Sequence, residues 1–245
     1  MSLSTQNILT PWEVNGAVDY EKIIADFGAE NIHEQLIYQV EKNTGQRAHR
    51  FLRRGIFFAH RDFDKLLAEA SDNFYLYTGR GPSSDALHFG HLVPLLFTQY
   101  LQQAFRVPLV FQMTDDEKYI FKNLTFEQAD FYTRENARDI LALDFDLDRT
   151  FLFQNTKYVQ ELYPNVLAIQ RQVNANTISK IFGFSTQESI GKWAFPPMQI
   201  APCFPTSFRG ILRNDMKCLV PCAIDQEPYF RLARTVAPQL KYDKP

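Results

Sequence analysis

The stretch "YTGRGPSSDALHFGHLVP", Tyr77 to Pro94, decides how the rest of the chain is read. It follows "FYLYTG" (Phe74 to Gly79), a short aromatic-rich run that closes on Gly and Pro, the pattern of a strand ending in a loop. From His88 to Phe105 the apolar residues fall at helical spacing. "VPLVFQMTDD" (Val107 to Asp116) is then a continuous apolar run between polar flanks, as expected of a strand buried on both faces.

The same order continues outward. "FEQADFYTRENARDILAL" (Phe126 to Leu143) predicts a helix, "TFLFQN" (Thr150 to Asn155) a strand, "KCLVPCAID" (Lys217 to Asp225) another strand, and "PYFRLARTVAPQL" (Pro228 to Leu240) a helix. Ahead of the opening stretch the pattern is helical in "DYEKIIADFG" (Asp19 to Gly28) and "IHEQLIYQVEKN" (Ile32 to Asn43), each ending near Gly or Asn. Alternating strands and helices predict an α/β fold, a doubly wound and mostly parallel sheet, which binds ligands at the carboxyl ends of its strands. Residues 1–70 form an N-terminal helical segment in this reading, packed on a domain spanning 71–245.

Composition narrows the class. With 45% hydrophobic and 22% charged residues and a formal net charge of -2, the chain is that of a globular protein without a global basic field, so any RNA contact is local. The first residues lack a basic segment followed by an apolar one, and no stretch is apolar for the length of a membrane span; a cytoplasmic location and no membrane partner are expected. Three cysteines, Cys203, Cys218 and Cys222, cannot all pair and lack the partners of a zinc site, so they read as buried thiols and no metal ligands are assigned.

The opening stretch carries chemistry by its position at a strand-to-helix junction. Gly79 and Gly81 allow close backbone approach, and Ser83 and Ser84 either donate to oxygen anions or cap the following helix. His88 and His91 share a helix face, where they are either incidental capping residues or, with the exposed N–H groups and dipole of the helix start, a site for phosphate. Gly90 leaves room for a ring or ribose.

His88, Phe89, Gly90 and His91 resemble the HIGH signature of the class I aminoacyl-tRNA synthetases. The fuller stretch, with "PLVFQMTDDEKY" (Pro108 to Tyr119), "AFPPMQIAPCF" (Ala194 to Phe204), "CLVPCAIDQEPYFR" (Cys218 to Arg231) and "GQRAHRFLRRGIFFAHRD" (Gly45 to Asp62), resembles the tryptophanyl family of eukaryotic and archaeal type. The resemblance implies a Rossmann-like catalytic domain that activates L-tryptophan with ATP and Mg2+, transfers it to tRNA(Trp), and pairs as a homodimer.

It further implies that His88 and His91 meet ATP phosphate during attack by the substrate carboxylate, with Gly79, Arg80, Gly81, Ser83, Ser84, Gly90 and Lys118 around the nucleotide. Tyr77 and Gln112 would bond the indole N–H; the alternative is a tyrosine hydroxyl tied to a core glutamine. Glu117, Gln199 and Gln226 match positions for the ammonium and carboxylate. Asp115 and Asp116 are also read as the cap of the next helix, Lys118 also as a solvated lysine, and Arg80 also as a residue pinning its loop. Trp12, in a stretch resembling an extension that folds over the site, is either a lid element or a core anchor.

One departure stands out. No Lys-Met-Ser string, the second signature of the family, occurs among the 245 residues, nor does an anticodon-binding domain. A fragment of a longer enzyme is expected over a natural short binding module. A tyrosyl-type synthetase and an HxGH nucleotidyltransferase are the enzyme alternatives.

Overall fold

The computed structural model describes the backbone at 8–10 and 13–15, residue 24, and residues 28–69 and 72–245. Trp12 and nearly all of the helix expected over Asp19 to Gly28 lie outside the described residues. Two short strands, β1 (Ile8–Thr10) and β2 (Glu13–Asn15), pair antiparallel, as do β3 (Glu30–Asn31) and β4 (Ala59–His60). Between the latter lie helices α1 (Glu34–Thr44) and α2 (Arg50–Arg53). α1 stops at Gly45, whose left-handed φ of 66° suits a residue without a Cβ. α3 (Phe63–Glu69) follows.

β5 (Phe74–Arg80) then leads through the opening loop to α4 (Phe89–Phe105), β6 (Leu109–Met113), α5 (Asp115–Phe121), α6 (Phe126–Leu141), β7 (Thr150–Gln154) and α7 (Asn155–Gln172). α8 (Ala175–Phe182), α9 (Ile190–Ile200), β8 (Lys217–Leu219) and α10 (Glu227–Val236) complete the chain. The four long-range strands form one parallel sheet in the order β7-β6-β5-β8.

The period-2 geometry of the strands divides the core in two. Phe74 and Leu76 of β5, with Leu109, Phe111 and Met113 of β6, face a cluster completed by Leu36, Val40, Leu52, Leu66, Leu95 and Leu101, so the N-terminal helices and α4 cover one side. Tyr75, Tyr77, Val110 and Phe153 face the other cluster, built with Leu162, Val166, Ile200 and Leu232 from α7, α9 and α10 and with Phe204 and Phe208 from the 3-10 segment after α9. Both faces being covered is why β5 and β6 read as unbroken apolar runs. Leu76 is fully buried, and truncating such a residue to alanine costs about 2–5 kcal/mol.

Two expectations need correction. The strand expected over Lys217 to Asp225 forms only at Lys217–Leu219, pairing with β5 at three positions on the sheet edge before Pro221, which has no N–H to donate, and a turn of 3-10 helix at Ile224–Gln226. The helix expected over Pro228 to Leu240 ends at Val236 and tightens to a 3-10 turn at Ala237–Leu240, which contains Pro238. α7, α8 and α9 carried no expectation. Pro196 and Pro197 inside α9 mask its helical character, and burial of Phe195 and Ile200 holds it in place nonetheless.

Candidate active site

Strand order reverses between β5 and β8, and a pocket of about 360 Å³ opens there beside the carboxyl ends of the strands. Tyr77, Gly79, Arg80, Gly81, Gly90, His91, Glu117, Lys118, Gln199 and Gln226 line it. Of the other expected site residues, Gln112 lies behind Tyr77, while Ser83, Ser84 and His88 are exposed on the loop and helix start outside the lining.

The pocket floor is a buried polar cluster. The Tyr77 hydroxyl lies 2.5 Å from Gln112 Oε1 and 2.6 Å from the Gln199 carbonyl, and accepts from Gln199 Nε2 at 3.0 Å. A hydroxyl carries one proton, so it serves one of those two acceptors and leaves the other short of a donor. Gln112 is oriented from behind: its Nε2 donates to Asn155 Oδ1 at 2.9 Å and to the Met198 carbonyl at 3.3 Å, while Asn155 Nδ2 donates to Asp116 Oδ1 at 2.8 Å. Gln112 and Asn155 are fully buried. Burial pushes the Asp116 carboxyl up to about 7, against the bond from Asn155 that favours its charge.

The two acids part company here. Asp115 does not cap its own helix; Thr114 is the N-cap residue, and Asp115 instead accepts from the Thr156 N–H at 3.2 Å and hydroxyl at 2.5 Å, joining α5 to the start of α7. Glu117 is held by Thr114 Oγ1 at 2.8 Å and pairs with Lys118 Nζ at 2.8 Å. A Cβ on Gly81 would stand 2.3 Å from Lys118 Cε and 2.5 Å from Glu117 Oε2, so the absence of a side chain there is what seats this ion pair. A Cβ on Gly79 would meet the Gln112 carbonyl at 3.1 Å.

Opposite lies a cationic wall. Arg80 donates through Nε to Asn136 Oδ1 at 2.9 Å and faces His91 Nε2 at 2.8 Å, while its second terminal nitrogen is buried without a partner. Because a guanidinium only donates, His91 Nε2 is the acceptor in that contact, while its Nδ1 lies 3.3 Å from the His88 N–H, which donates to it. Burial, then the Arg80 charge, hold His91 down to about 4, and burial lowers Arg80 to about 10, still charged at neutral pH. His88 stacks on His91 with ring centroids 3.5 Å apart. Asn136 of α6 also donates to the Ser84 carbonyl at 2.7 Å, and Asp139 accepts from the Leu87 N–H at 3.2 Å, so α6 braces the whole loop. Gln226 lies across the pocket with its amide 3.3 Å from Asp225.

Asn136, Asn155 and the inward face of Asp116 were not singled out from the sequence. Asn155 carried one usable signal, a polar residue at the carboxyl end of a parallel strand; Asn136 sits mid-helix and carried none. Cys203 and Cys218 are buried free thiols as expected, whereas Cys222 is only partly buried and lines the pocket.

A Rossmann-like sheet whose crevice meets a helix start bearing His-x-Gly-His is the catalytic architecture of class I aminoacyl-tRNA synthetases, and the chain belongs to the family of class I tRNA synthetases for tryptophan and tyrosine, whose model matches residues 69–245. Within it the similarity runs to tryptophan enzymes. The chain is 53% identical to the cytoplasmic tryptophan–tRNA ligase of Dictyostelium discoideum, over 98% of this chain and 63% of that protein, and 51% identical to the human one, over 98% and 53%. Among solved structures it is similar to the Plasmodium falciparum tryptophanyl-tRNA synthetase (TM-score 0.91, 47% identity, 93% of this chain and 63% of that one). It is also similar to the Encephalitozoon cuniculi enzyme bound to tryptophan (TM-score 0.89, 48% identity, 95% and 65%). The chain therefore spans between about half and two thirds of the length of these curated relatives.

Proposed function

We propose that the chain is the amino-acid-activating region of a tryptophan–tRNA ligase. It binds L-tryptophan and ATP, forms tryptophanyl-adenylate with release of pyrophosphate, and in the whole protein passes the acyl group to tRNA(Trp). The observation that carries this is the donor deficit on the pocket floor: Tyr77, Gln112 and the Gln199 carbonyl present one acceptor more than their own protons serve. An indole N–H supplies the missing donor, and phenylalanine does not, a difference worth up to about 10⁴-fold or more in discrimination. The E. cuniculi relative bound to tryptophan supports the same reading.

Glu117 takes the ammonium group, with Gln199 and Gln226 on the polar end of the amino acid. The nucleotide lies along Gly79, Arg80, Gly81, Ser83, Ser84 and Gly90. A carboxylate oxygen of tryptophan attacks the α-phosphorus, the bond from that phosphorus to the β-bridging oxygen breaks, and pyrophosphate leaves with the electron pair. No protein nucleophile is required; positioning and charge stabilisation do the work. Arg80, Lys118, and the N–H groups at the start of α4 with His88 and His91 face the spreading charge. A phosphate beside His91 acts against the burial and the Arg80 charge that hold its pKa down to about 4. Mg2+ arrives on the phosphates of ATP.

The exposed residues Val159, Tyr163 and Leu167, four apart along α7, with Phe131 on α6, offer an apolar face for a homodimer. We assign the protein to the cytoplasm, as its relatives are named. The test is tryptophan binding by titration calorimetry together with tryptophan-dependent exchange of labelled pyrophosphate into ATP. Exchange with tryptophan and none with tyrosine supports the proposal; binding without exchange reduces the chain to a tryptophan-binding module; absence of binding overturns it.

A further inference from the structure

Outside the pocket, residues 42–61 hold Lys42, Arg47, Arg50, Arg53, Arg54 and Arg61 and not one Asp or Glu, in a chain of formal net charge -2. Arg61 pairs with Glu227 at 2.6 Å. The other five are exposed, and none has an acidic partner within salt-bridge distance among the described residues. Four of the nearby acids are committed elsewhere. Glu41 accepts from the Ala48 N–H at 2.9 Å, Asp62 bonds Lys65 and Arg234, Asp64 faces His60 at 3.9 Å, and Glu69 pairs with Lys217 at 2.9 Å. α4, packed beneath, contributes no acidic or basic side chain other than His91. The field is strong enough that, after burial, Arg50 and Arg53 are what lower the pKa of His49.

The patch is rigidly mounted on the helix that starts the active site. Leu52 is buried, the His49 ring lies 5.1 Å from Tyr100 and 6.1 Å from Phe97, and Phe57 stacks on Phe97 at 3.8 Å. Phe97 stands six residues beyond His91, about 9 Å along the axis at helical rise. Exposed arginines at this density, without acidic partners, suit the phosphates of a nucleic-acid backbone better than a diffuse acidic protein surface, because each guanidinium fork matches a phosphate bidentately.

We propose that Lys42, Arg47, Arg50, Arg53 and Arg54 form the surface that grips the phosphate backbone of the RNA substrate, holding it so that its 3′ end reaches the start of α4. This rests on the synthetase reading and adds the place where the RNA is held.

The experiment measures binding of a fluorescent tRNA(Trp) transcript to the 245-residue chain by anisotropy between 50 and 200 mM salt, beside tryptophan calorimetry. Neutralising Arg47, Arg50, Arg53 and Arg54 together to alanine is expected to weaken RNA binding at least about tenfold at low salt and to flatten the log–log salt slope by roughly 3, with tryptophan affinity unchanged. The fourfold replacement by lysine keeps the charge and is expected to keep most of the slope, and Arg53→Ala with Arg54→Ala alone to lose about half of the effect. An unchanged slope in both alanine variants overturns the inference, as does a parent chain that binds tryptophan but no RNA, or one that prefers phosphatidylserine vesicles to RNA. A parent chain that binds no tryptophan removes the synthetase reading itself, and the inference with it.

Discussion

Gly81→Ala isolates the seat of Glu117 and Lys118. The φ of Gly81 is outside the left-handed region, so alanine meets no backbone strain and space alone decides the outcome. The new methyl would stand 2.3 Å from Lys118 Cε and 2.5 Å from Glu117 Oε2, about 1 Å short of ordinary contact. The lysine swings away at little cost. The glutamate does not, because Thr114 Oγ1 holds it at 2.8 Å and the Thr114 N–H is itself tied to the Arg80 carbonyl at 3.0 Å. A carboxylate displaced by that distance loses most of a charge-assisted bond to the ammonium, about 1.5–3 kcal/mol or roughly 10- to 100-fold in tryptophan affinity. Calorimetry with L-tryptophan and with indole-3-propionic acid, which has no ammonium, separates this from general damage. Tryptophan is expected to weaken while the deaminated ligand binds as before. Equal loss of both ligands, or no loss of either, refutes the reasoning.

Tyr77→Phe leaves Gln112 Oε1 and Gln199 Nε2 without their buried partner, so denaturant unfolding is expected to show a loss of about 1–3 kcal/mol. Asp116→Ala removes the far anchor of the Asn155–Gln112 relay, so the preference for tryptophan over 3-benzothienylalanine, which lacks the N–H, is expected to fall about tenfold, whereas Asp116→Asn, still an acceptor, retains it. The Asp116 carboxyl is raised to about 7 in the fold, above its unfolded value near 4. The folded chain thus keeps a proton that the unfolded chain has lost, and stability present at low pH is lost as the pH rises through about 7. Asp116→Asn is therefore expected to gain on the parent in unfolding experiments as the pH is raised from about 5 to about 8. Asn136→Leu frees both Arg80 Nε and the Ser84 carbonyl; ATP binding is expected to weaken about tenfold with tryptophan affinity within about twofold of the parent.

The strands were legible where burial on both faces wrote itself into composition. β5, β6 and β7 begin and end within three residues of the positions expected, because Phe74 to Tyr77 and Leu109 to Phe111 are apolar on consecutive residues. The edge strand was not, since three paired residues leave too little pattern to distinguish from an extended loop. Of the two readings of Tyr77, the structure shows the hydroxyl tied to a buried glutamine. Arg80 pins its loop through Asn136, and its second terminal nitrogen is buried without a partner. Of the paired acids, Asp115 serves α7, while Asp116 accepts both from Asn155 and from the Glu117 N–H in the first turn of its own helix.

Local sequence thus determined the alternation of strand and helix, the loop that joins β5 to α4, and the histidines at the helix start, since propensity, turn chemistry and apolar periodicity act over a few neighbouring residues. Only the tertiary structure decided how the pocket floor is wired. Tyr77 meets Gln112 from 35 positions away and Gln199 from 122, and Gln112 meets Asn155 from 43. Those contacts follow from strand register and from the packing of α9 against the sheet, and hydrogen bonds in a buried site are set by which groups the fold brings within 3 Å, a relation no short stretch of sequence contains.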